Sequence, residues 1–452
     1  MTLPHAQDAR LSPTRRSFLA TLLAATALPA WALAQPANPD VVVIGAGAAG
    51  LAAAHALAAA GLSFVVIEAK GRIGGRAFTD TASFGLPFDH GCSWLHQSDR
   101  NPFTPIAERE GFTLLPHDDA GEAIFVGDRR ASKMEEEAYD AAWDGMIAAM
   151  SKLGRGGEDV PPAPHLPVAL PWSHVGNSWL GPLSMGVDVE DMSALDWWNL
   201  DETAPNLMIR EGYGTLVARW GADVPVRLST PASLVRWGGQ GVEVETPSGT
   251  IAARACIVTV STGVLAAEGI RFDPPLPADK RDAIAGLPMG LLAKIPLQFD
   301  GARFGLAEND WLSYAATDEK LCYFLTWPFG MELMIGWVGG RFGWELSAAV
   351  KKDGEEAAID FAHGELRKIF GADVGKHFVR GRFTQWANDP DVRGGYAYQR
   401  PGAAGARAAL ASPLADRLFF AGEATASGMS MTCGGAFLSG ERAAREVASH
   451  LE

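Results

Sequence analysis

A short β-branched run at positions 40–44 opens the most strongly patterned stretch of the chain. An apolar run without polar alternation is typical of a strand that is buried on both faces in a parallel sheet. An alanine-rich segment at 50–60 then predicts a helix, and a second apolar run at 64–67 predicts another strand. The stretch is therefore expected to form a β–α–β unit.

Further along the chain, helical and strand patterns alternate with loops. Residues 135–153 are amphipathic with helical spacing, and residues 154–171 are rich in Gly and Pro, which predicts a loop. The remaining elements are buried strands at 254–260, 287–299 and 417–421, short strands at 224–246, and a helix at 434–447. Strands and helices mixed in this way predict the α/β class.

Gly45, Gly47 and Gly50 follow the first strand with the spacing G-x-G-x-x-G. In such a motif the glycines allow a tight turn, the approach of a pyrophosphate to the backbone, and close packing of helix on strand. The helix N-terminus would direct its positive end at the pyrophosphate. Glu68 ends the second strand, where a carboxylate accepts hydrogen bonds from an adenosine ribose. The motif predicts a dinucleotide site and leaves the choice between FAD and NAD open.

A second cluster, with Arg72, Gly74, Gly75 and Arg76, follows Glu68. An NAD site has no need of such a cluster. The segment resembles the E-A-x-x-R-x-G-G-R element of FAD-dependent amine oxidases, which implies FAD as the cofactor and places Arg76 at its pyrophosphate. The resemblance implies further FAD contacts at Ala49, Lys70 and Ala232.

Residues 88–103 resemble the D-x-G-x-x-W-x-H…N-P segment of polyamine and spermine oxidases. The resemblance places Ser93 and Trp94 against the flavin and His96 at the substrate. An imidazole there could hydrogen-bond to an amine or help to deprotonate it. On the sequence alone, a histidine held only by its loop is an equally good interpretation, and the resemblance favours the functional one.

Lys294 is the one charged residue in the apolar run at 287–299. A charged lysine is rarely buried without a partner. A lysine on an edge strand that reaches water along its aliphatic stem is the alternative. The run resembles the family's K-[IV]-x-L-x-F strand, whose lysine holds a water against flavin N5. Desolvation would lower the pKa of Lys294, which could then assist proton movement.

Residues 385–398 resemble the W-x-x-D-P…G-[SG]-Y-[SA]-Y segment of the same family. The resemblance implies that Trp386 contacts FAD and that Tyr396 forms an aromatic wall that orients the amine. Monoamine oxidases attach their flavin to a cysteine just before that tyrosine. Gly395 stands at this position, which predicts non-covalent FAD. The opposite wall is a tyrosine in monoamine oxidases and Thr432 here, which favours the polyamine-oxidase branch.

Residues 417–440 resemble the family's F-A-G-E-x-T…T-x-x-G-A-x-x-S-G element. The resemblance places Glu423 near the pyrophosphate and ribityl, and Thr432 and Cys433 beside the flavin ring. The N-terminal amides of the following helix would stabilise negative charge at flavin N1–C2=O. The family usually has a valine at the position of Cys433, so the thiol is a departure that could alter reactivity near the flavin.

The resemblance covers most of the chain after residue 40 and is weakest at 105–205, where the substrate is chosen. It implies a discontinuous, Rossmann-like FAD-binding domain of the α/β class with an inserted α+β substrate domain. The expected FAD-binding parts are 35–104, 206–286 and 401–452, and the expected substrate parts are 105–205 and 287–400. Acidic residues and two tryptophans at 184–202 could line a channel for a cation, but a solvated acidic face with core tryptophans is the simpler interpretation.

The overall composition is consistent with such a molecule. A chain of 452 residues, 48% of them hydrophobic, can form two domains that each bury a core. The net charge of −15 argues against nucleic acid and anionic membranes as partners and is compatible with attraction of cationic small molecules. The four cysteines and the scattered histidines have no metal-site spacing, so no metal is expected, and no disulfide framework is expected either.

The first 34 residues resemble a bacterial twin-arginine signal. Arg15 and Arg16 precede a moderately apolar run that Pro29 interrupts, and residues 32–34 form an A-x-A cleavage site. The run is short for a membrane-spanning helix. A disordered basic N-terminus is the alternative. The pattern predicts recognition by the twin-arginine export machinery and a periplasmic protein without a stable membrane anchor.

Together these motifs predict a flavin-dependent amine oxidase. Hydride from the carbon next to the amine nitrogen would pass to flavin N5, water would hydrolyse the imine, and either O2 or a periplasmic electron acceptor would take the electrons. A polyamine or another cationic amine is the expected substrate. The alternatives are a dehydrogenase for an amino acid or another amine, and an exported FAD-binding protein without turnover.

Overall fold

The computed structural model describes residues 38–169, 171–200 and 204–451, so the signal segment predicted at 1–34 lies outside the described residues. The strands are β1 (Val41–Ile44), β2 (Phe64–Ile67), β3 (Thr79–Asp80), β4 (Phe88–Asp89), β5 (Trp94–Leu95), β6 (Leu114–Pro116), β7 (Glu122–Val126), β8 (Arg129–Arg130), β9 (Leu207–Ile209), β10 (Val226–Arg227), β11 (Leu234–Arg236), β12 (Val242–Thr246), β13 (Gly249–Ala253), β14 (Ala255–Val258), β15 (Arg271–Asp273), β16 (Met289–Gly290), β17 (Leu292–Phe299), β18 (Asp310–Tyr314), β19 (Tyr323–Thr326), β20 (Leu333–Gly339), β21 (Phe378–Gly381), β22 (Tyr396–Ala397) and β23 (Leu418–Phe420).

The α-helices are α1 (Ala48–Ala59), α2 (Thr104–Arg109), α3 (Lys133–Gly156), α4 (Trp172–Ser178), α5 (Ala194–Asn199), α6 (Tyr213–Trp220), α7 (Thr262–Ala266), α8 (Ala278–Gly286), α9 (Gly340–Asp353), α10 (Glu356–Phe370), α11 (Ala406–Ala411) and α12 (Cys433–Leu451). A turn of π-helix at Trp179–Leu183 follows α4. Within the described ranges, none of these helices combines the length and the apolar character needed to cross a membrane.

A parallel sheet with the strand order β10-β2-β1-β14-β23 forms the centre of one half of the molecule. Its central strands are buried on both faces because they are continuous apolar runs, as the sequence predicts. Helix α12 packs against α1 on one face: a side chain at Gly440 would meet the backbone oxygen of Ala49 at 2.0 Å. The first and last thirds of the chain therefore build one layer together.

A mixed sheet with the strand order β21-β17-β20-β19-β18-β7-β8 forms the other half. All its pairs are antiparallel except β18 with β7. Helices α9 and α10 cover one face with buried residues such as Leu346 and Leu366, and the other face packs towards α3 and α4. This arrangement confirms the expected α/β class, with a discontinuous Rossmann-like sheet and a second, mixed unit.

Candidate active site

One cavity of about 540 Å³ runs from the glycine turn after β1 to the open face of the seven-stranded sheet. Every residue that the sequence predicts for the site lines this cavity except Gly50. The lining residues predicted from the sequence are Gly45, Gly47, Ala49, Glu68, Lys70, Arg76, Ser93, Trp94, His96, Ala232, Lys294, Trp386, Tyr396, Glu423, Thr432 and Cys433.

Gly50 is the one predicted cofactor contact that the structure places elsewhere. It lies in the first turn of α1, and a side chain there would meet the backbone oxygen of Gly45 at 1.9 Å. The missing side chain lets the helix pack on the turn after β1, which is the packing role of the third glycine in such motifs. Gly50 therefore shapes the site without lining it.

The glycine turn forms an open cradle at the N-terminus of α1. Gly45 has a φ of +104°, which favours glycine, and a side chain at Gly47 would point into space, with Gly75 Cα as its nearest neighbour at 3.9 Å. Ala48 and Ala49, the first residues of α1, line the cavity beside it. A backbone without side chains at a helix N-terminus fits the pyrophosphate of a dinucleotide.

Glu68 is held at the adenosine end by two backbone amides. Ala46 N donates to its Oε2 at 2.8 Å, and Lys70 N donates to its Oε1 at 2.9 Å. These bonds fix the carboxylate at the cavity and leave lone pairs for ribose hydroxyls. Lys70 also lines the cavity, where its ammonium forms ion pairs with Asp389 and Asp391.

Arg76 joins the first and last segments of the chain at the centre of the cavity. Its guanidinium donates to Glu423 Oε1 at 2.9 Å and to the backbone oxygen of Gly395 at 2.7 Å. Glu423 is only 5% exposed and also accepts a hydrogen bond from Ala397 N at 3.1 Å. A buried carboxylate requires this cation, and the guanidinium still has donors for a phosphate oxygen. The glycine cradle, the Glu68 carboxylate and the Arg76 guanidinium therefore fit FAD.

The N-terminus of helix α12 faces the same cavity as the glycine turn. Thr432 Oγ1 accepts a hydrogen bond from Gly435 N at 3.0 Å and donates one to Met429 O at 2.6 Å, which caps the helix. Trp386 is fixed by a bond from its Nε1 to His90 O at 2.8 Å. Both residues line the cavity, and the capped helix would present its positive backbone charge to a reduced flavin bound there.

Lys294 lies on β17 and is 2% exposed, so the edge-strand alternative is wrong. Its ammonium donates to Asp89 O at 2.7 Å, Gly91 O at 2.6 Å and Ser93 Oγ at 2.6 Å. Burial lowers the pKa of Lys294 to about 8, although Asp89 and Cys92 oppose that shift. The three acceptors use all three ammonium hydrogens. The predicted direct contact between Lys294 and a water thus requires a change in one of these bonds, and the Ser93 hydroxyl links the lysine to the cavity.

Four tryptophans form an indole cluster at the end of the cavity beyond Lys294: Trp94, Trp179, Trp311 and Trp337. Trp94 lies 6.0 Å from Trp311 and 5.5 Å from Trp337 between ring centroids. Lys294 is the register partner of Trp337 across β17 and β20, and its Nζ lies 4.5 Å from that ring centroid. Of the four, only Trp94 is predicted from the sequence as a site residue.

Tyr396 completes this end of the cavity. Its hydroxyl donates to Leu183 O at 3.2 Å and lies 3.4 Å from Ser184 O, which fixes the ring against the π-helical turn. Tyr396 is half-buried and lines the cavity, so its ring can form the predicted aromatic wall. Aromatic side chains around an amine exclude water and orient the carbon that loses hydride.

His96 is held by a relay through Asn206 and Asp118, which no pattern in the sequence indicates. Its Nδ1 lies 3.0 Å from Asn206 Oδ1, and Asn206 Nδ2 donates to Asp118 Oδ1 at 2.7 Å. Because Asp118 accepts from the amide nitrogen, the amide oxygen faces His96 and accepts from Nδ1–H. His96 Nε2 is then the acceptor nitrogen, able to take a proton or hydrogen bond from an amine. Asp118 and Asn206 are positioning residues.

Asn206→Ala is expected to lower kcat/KM for the amine about tenfold, the effect of losing one hydrogen bond of ~1.4 kcal/mol. Steady-state kinetics measures the loss. Asn177→Ala, at a half-buried amide on α4 whose Nδ2 lies 3.4 Å from Glu319 and which does not line the cavity, is the matched control. Equal losses of kcat/KM in the two variants would contradict the positioning role of Asn206.

None of the described acidic residues in the segment at 184–202 lines the cavity. Arg341 forms ion pairs with Asp188, Glu190 and Asp191, and the buried Asp196 pairs with Arg407 at 2.8 Å. The expectation of two core tryptophans is wrong for Trp198, which is 39% exposed. Asp201 and Glu202 lie outside the described residues. Across the described ranges, no group of three or more His, Cys, Asp or Glu could hold a metal ion.

Comparison with known proteins agrees with this geometry. The sequence profile of the flavin containing amine oxidoreductases matches residues 48–174 and 190–448. A probable polyamine oxidase 4 of Arabidopsis thaliana is 31% identical over 92% of this chain and 88% of its own. Polyamine oxidase 4 of Oryza sativa subsp. japonica is 30% identical, and the match covers 91% of this chain and 89% of that protein. A solved structure of putrescine oxidase with bound putrescine shares the fold, with a TM-score of 0.75 and 21% identity. The match covers 91% of this chain and 99% of that one. The chain is an FAD-dependent enzyme and belongs to the flavin-containing amine oxidoreductase family.

Proposed function

We propose that the chain oxidises a polyamine or another cationic amine. Hydride leaves the carbon beside the amine nitrogen, and the resulting imine is hydrolysed to an aldehyde and an amine. O2 takes the two electrons and, with protons, becomes hydrogen peroxide. Relatives named polyamine oxidase, matched over nine-tenths of this chain, support the substrate class. The net charge of −15 supports attraction of a cation.

The observation that carries the proposal is the position of Lys294 in the same cavity as the glycine cradle. FAD bound along the cradle supplies the hydride acceptor. The Lys294 ammonium donates to the Ser93 hydroxyl, which lines the same cavity, and lies 4.5 Å from the ring centroid of Trp337 in the indole cluster. A lysine with a pKa of about 8 changes protonation near the pH at which the reaction would run, so it can hold or release a proton at Nζ.

His96, Tyr396 and the indole cluster deprotonate and orient the amine. A protonated nitrogen cannot supply the electrons that release hydride, so the amine must be neutral when it reacts. His96 Nε2, whose tautomer Asn206 fixes, accepts that proton. Tyr396 and the indole cluster exclude water and set the direction of the reacting carbon.

An amine panel tests this function most directly. The flavin of the holoenzyme is expected to bleach anaerobically with di- and polyamines, and admission of air should restore the colour with one peroxide per turnover. Bleaching by amino acids alone would favour an amino-acid dehydrogenase. Bleaching that air does not reverse but an electron carrier does would favour a periplasmic acceptor. No bleaching by any amine would favour an FAD-binding protein without turnover.

We also propose that the twin-arginine machinery exports the folded, FAD-loaded chain to the periplasm. The support is the order of basic pair, apolar run and A-x-A site in the first 34 residues. The double variant Arg15→Lys, Arg16→Lys should remain in the cytoplasm with its FAD bound, as cell fractionation would show. Lys133→Arg, on the exposed start of α3, is the control and should be exported. Export of the double variant would refute the proposal.

A further inference from the structure

His117 is a buried histidine that lines the cavity next to the indole cluster. It follows β6, is 9% exposed, and its ring centroid lies 5.8 Å from that of Trp94. The Trp94 Nε1–H donates to His117 Nδ1 at 3.3 Å, and His117 Nε2 lies 2.9 Å from the backbone oxygen of Asn309. The His117 backbone N donates to Asn206 O at 3.0 Å. One residue therefore connects three segments that are distant in sequence.

The two partners of the imidazole decide which ring nitrogen carries the proton. A backbone oxygen can only accept, so Nε2 is protonated and donates to Asn309 O. An indole N–H can only donate, so Nδ1 offers its lone pair to Trp94. A doubly protonated ring would set one N–H against another at this contact. Burial lowers the pKa of His117, although the Asn309 carbonyl and two nearby aspartates oppose that shift, which favours the neutral ring.

The carbonyl of Asn309 is a fixed acceptor for His117. Asn309 has a φ of +63°, a left-handed conformation that asparagine adopts more readily than most residues. Its backbone N donates to Thr326 O at 2.7 Å, and its Oδ1 accepts from Phe329 N at 2.7 Å. The turn that leads into β18 is thus hydrogen-bonded on both sides. It holds the imidazole at Nε2 and leaves Nδ1 directed at the indole.

Trp94 is the residue through which His117 would act on the amine. The ring centroid of Trp94 lies 6.3 Å from that of His96 and 5.5 Å from that of Trp337. His96 supplies the nitrogen that accepts a proton from the amine, and Trp337 lies 4.5 Å from Lys294 Nζ. A rotation of the Trp94 indole would therefore change the packing against both groups.

We propose that His117 is a positioning residue for amine oxidation, whose Nδ1 lone pair holds the Trp94 indole as a wall of the amine space. The proposal rests on the proposed function, because it assigns this end of the cavity to the amine. Indole rings attract cations, and a ring already fixed in one orientation needs no ordering when the amine binds. The adjacent Asp118 holds His96 through Asn206. Residues 117 and 118 would then position both sides of the amine space.

A double-mutant cycle in the holoenzyme tests the coupling, with the amine of the panel that bleaches the flavin fastest. His117→Leu removes the acceptor, and Trp94→Phe removes the donor while keeping an aromatic ring. In the wild-type background His117→Leu should lower kcat/KM about tenfold, the effect of losing one hydrogen bond, with FAD content unchanged. In the Trp94→Phe background it should change kcat/KM little, because the bond is already lost. Equal effects in the two backgrounds would overturn the proposal.

A conservative variant and a matched control separate the hydrogen bond from the loss of a buried histidine. In His117→Asn the amide oxygen can take the place of Nδ1 as acceptor, so most of the activity should return. His363 is 6% exposed, its Nδ1 lies 3.1 Å from Arg367 Nη2, and it does not line the cavity. His363→Leu should leave kcat/KM unchanged. Equal losses in His117→Leu and His363→Leu would contradict a specific role for His117.

A second measurement does not depend on turnover. In holoenzyme carrying isotope-labelled tryptophan, the indole N–H resonance of Trp94 is the one that Trp94→Phe lacks. It should move upfield in His117→Leu and stay near its wild-type position in His117→Asn and His363→Leu. An unchanged resonance in His117→Leu would overturn the proposal. Failure of every amine to bleach the flavin would instead contradict the proposed function, and with it the positioning role, even where the resonance shift establishes the hydrogen bond.

Discussion

Lys294→Met should purify with FAD bound and lose turnover by about 10²-fold or more, the range expected when a group that moves protons is removed. Methionine fills the volume of the lysine stem but cannot donate to Asp89 O, Gly91 O or Ser93 Oγ. Turnover per bound flavin, from peroxide release and flavin absorbance, measures the loss. Near wild-type turnover would refute the role of Lys294.

Lys280 offers a matched control. It is also buried, its Nζ donates to the backbone oxygens of Ala409, Leu410 and Ser412, and it does not line the cavity. Lys280→Met should therefore cost stability and leave turnover per flavin unchanged. A parallel loss of turnover in both variants would mean that burial of a lysine, rather than its place in the cavity, decides the effect.

The same two variants should also change how the free energy of unfolding depends on pH. Burial lowers the pKa of both lysines to about 8. Between that value and the unfolded value of about 10.4, the folded chain binds fewer protons than the unfolded one, so the free energy of unfolding rises with pH. Each methionine variant should lose part of that rise in denaturant titrations, and only Lys294→Met should lose turnover.

Arg76→Met should lose most of its FAD. Glu423 would remain buried without its cation, and the pyrophosphate would lose a donor, so we expect affinity to fall at least about 30-fold, equivalent to ~2 kcal/mol. The absorbance ratio of flavin to protein and an FAD titration of the stripped protein measure the effect.

Arg72→Met is the control for this change. The Arg72 guanidinium lies 4.2 Å from the ring centroid of Phe78 and does not line the cavity. FAD affinity should remain near wild type in this variant. Full flavin content in Arg76→Met, or equal losses in both variants, would contradict a pyrophosphate role for Arg76.

The parts of the site that are local in sequence could be predicted from it. The glycine turn, Glu68 and the N-terminus of α12 follow from patterns of a few residues, because each is one turn or one helix end. Lys294 could be identified since a charge in an apolar strand requires partners. Those partners, Asp89 O, Gly91 O and Ser93 Oγ, could not be derived, because they come from a loop two hundred residues earlier.

The substrate end depends on pairings that no local pattern encodes. Trp337 faces Lys294 only because β20 pairs with β17 in one register, and a shift by one residue would turn the indole to the opposite face. Asn206 reaches His96 through tertiary structure alone. The acidic segment was ambiguous for the same reason, since nothing local to Asp188 indicates that Arg341 lies beside it.

The bond between Arg76 and Glu423 has a consequence for synthesis of the protein. A chain emerging from the ribosome presents Arg76 347 residues before Glu423, and α12 follows later still. Strand β14 waits for its neighbour β23 until then, and the cofactor site stays incomplete. The complete FAD site can therefore form only after β23, Glu423 and α12 have been synthesised. The proposed export of the folded chain is consistent with this order of events, because threading an unfolded chain across a membrane would separate the protein from its cofactor.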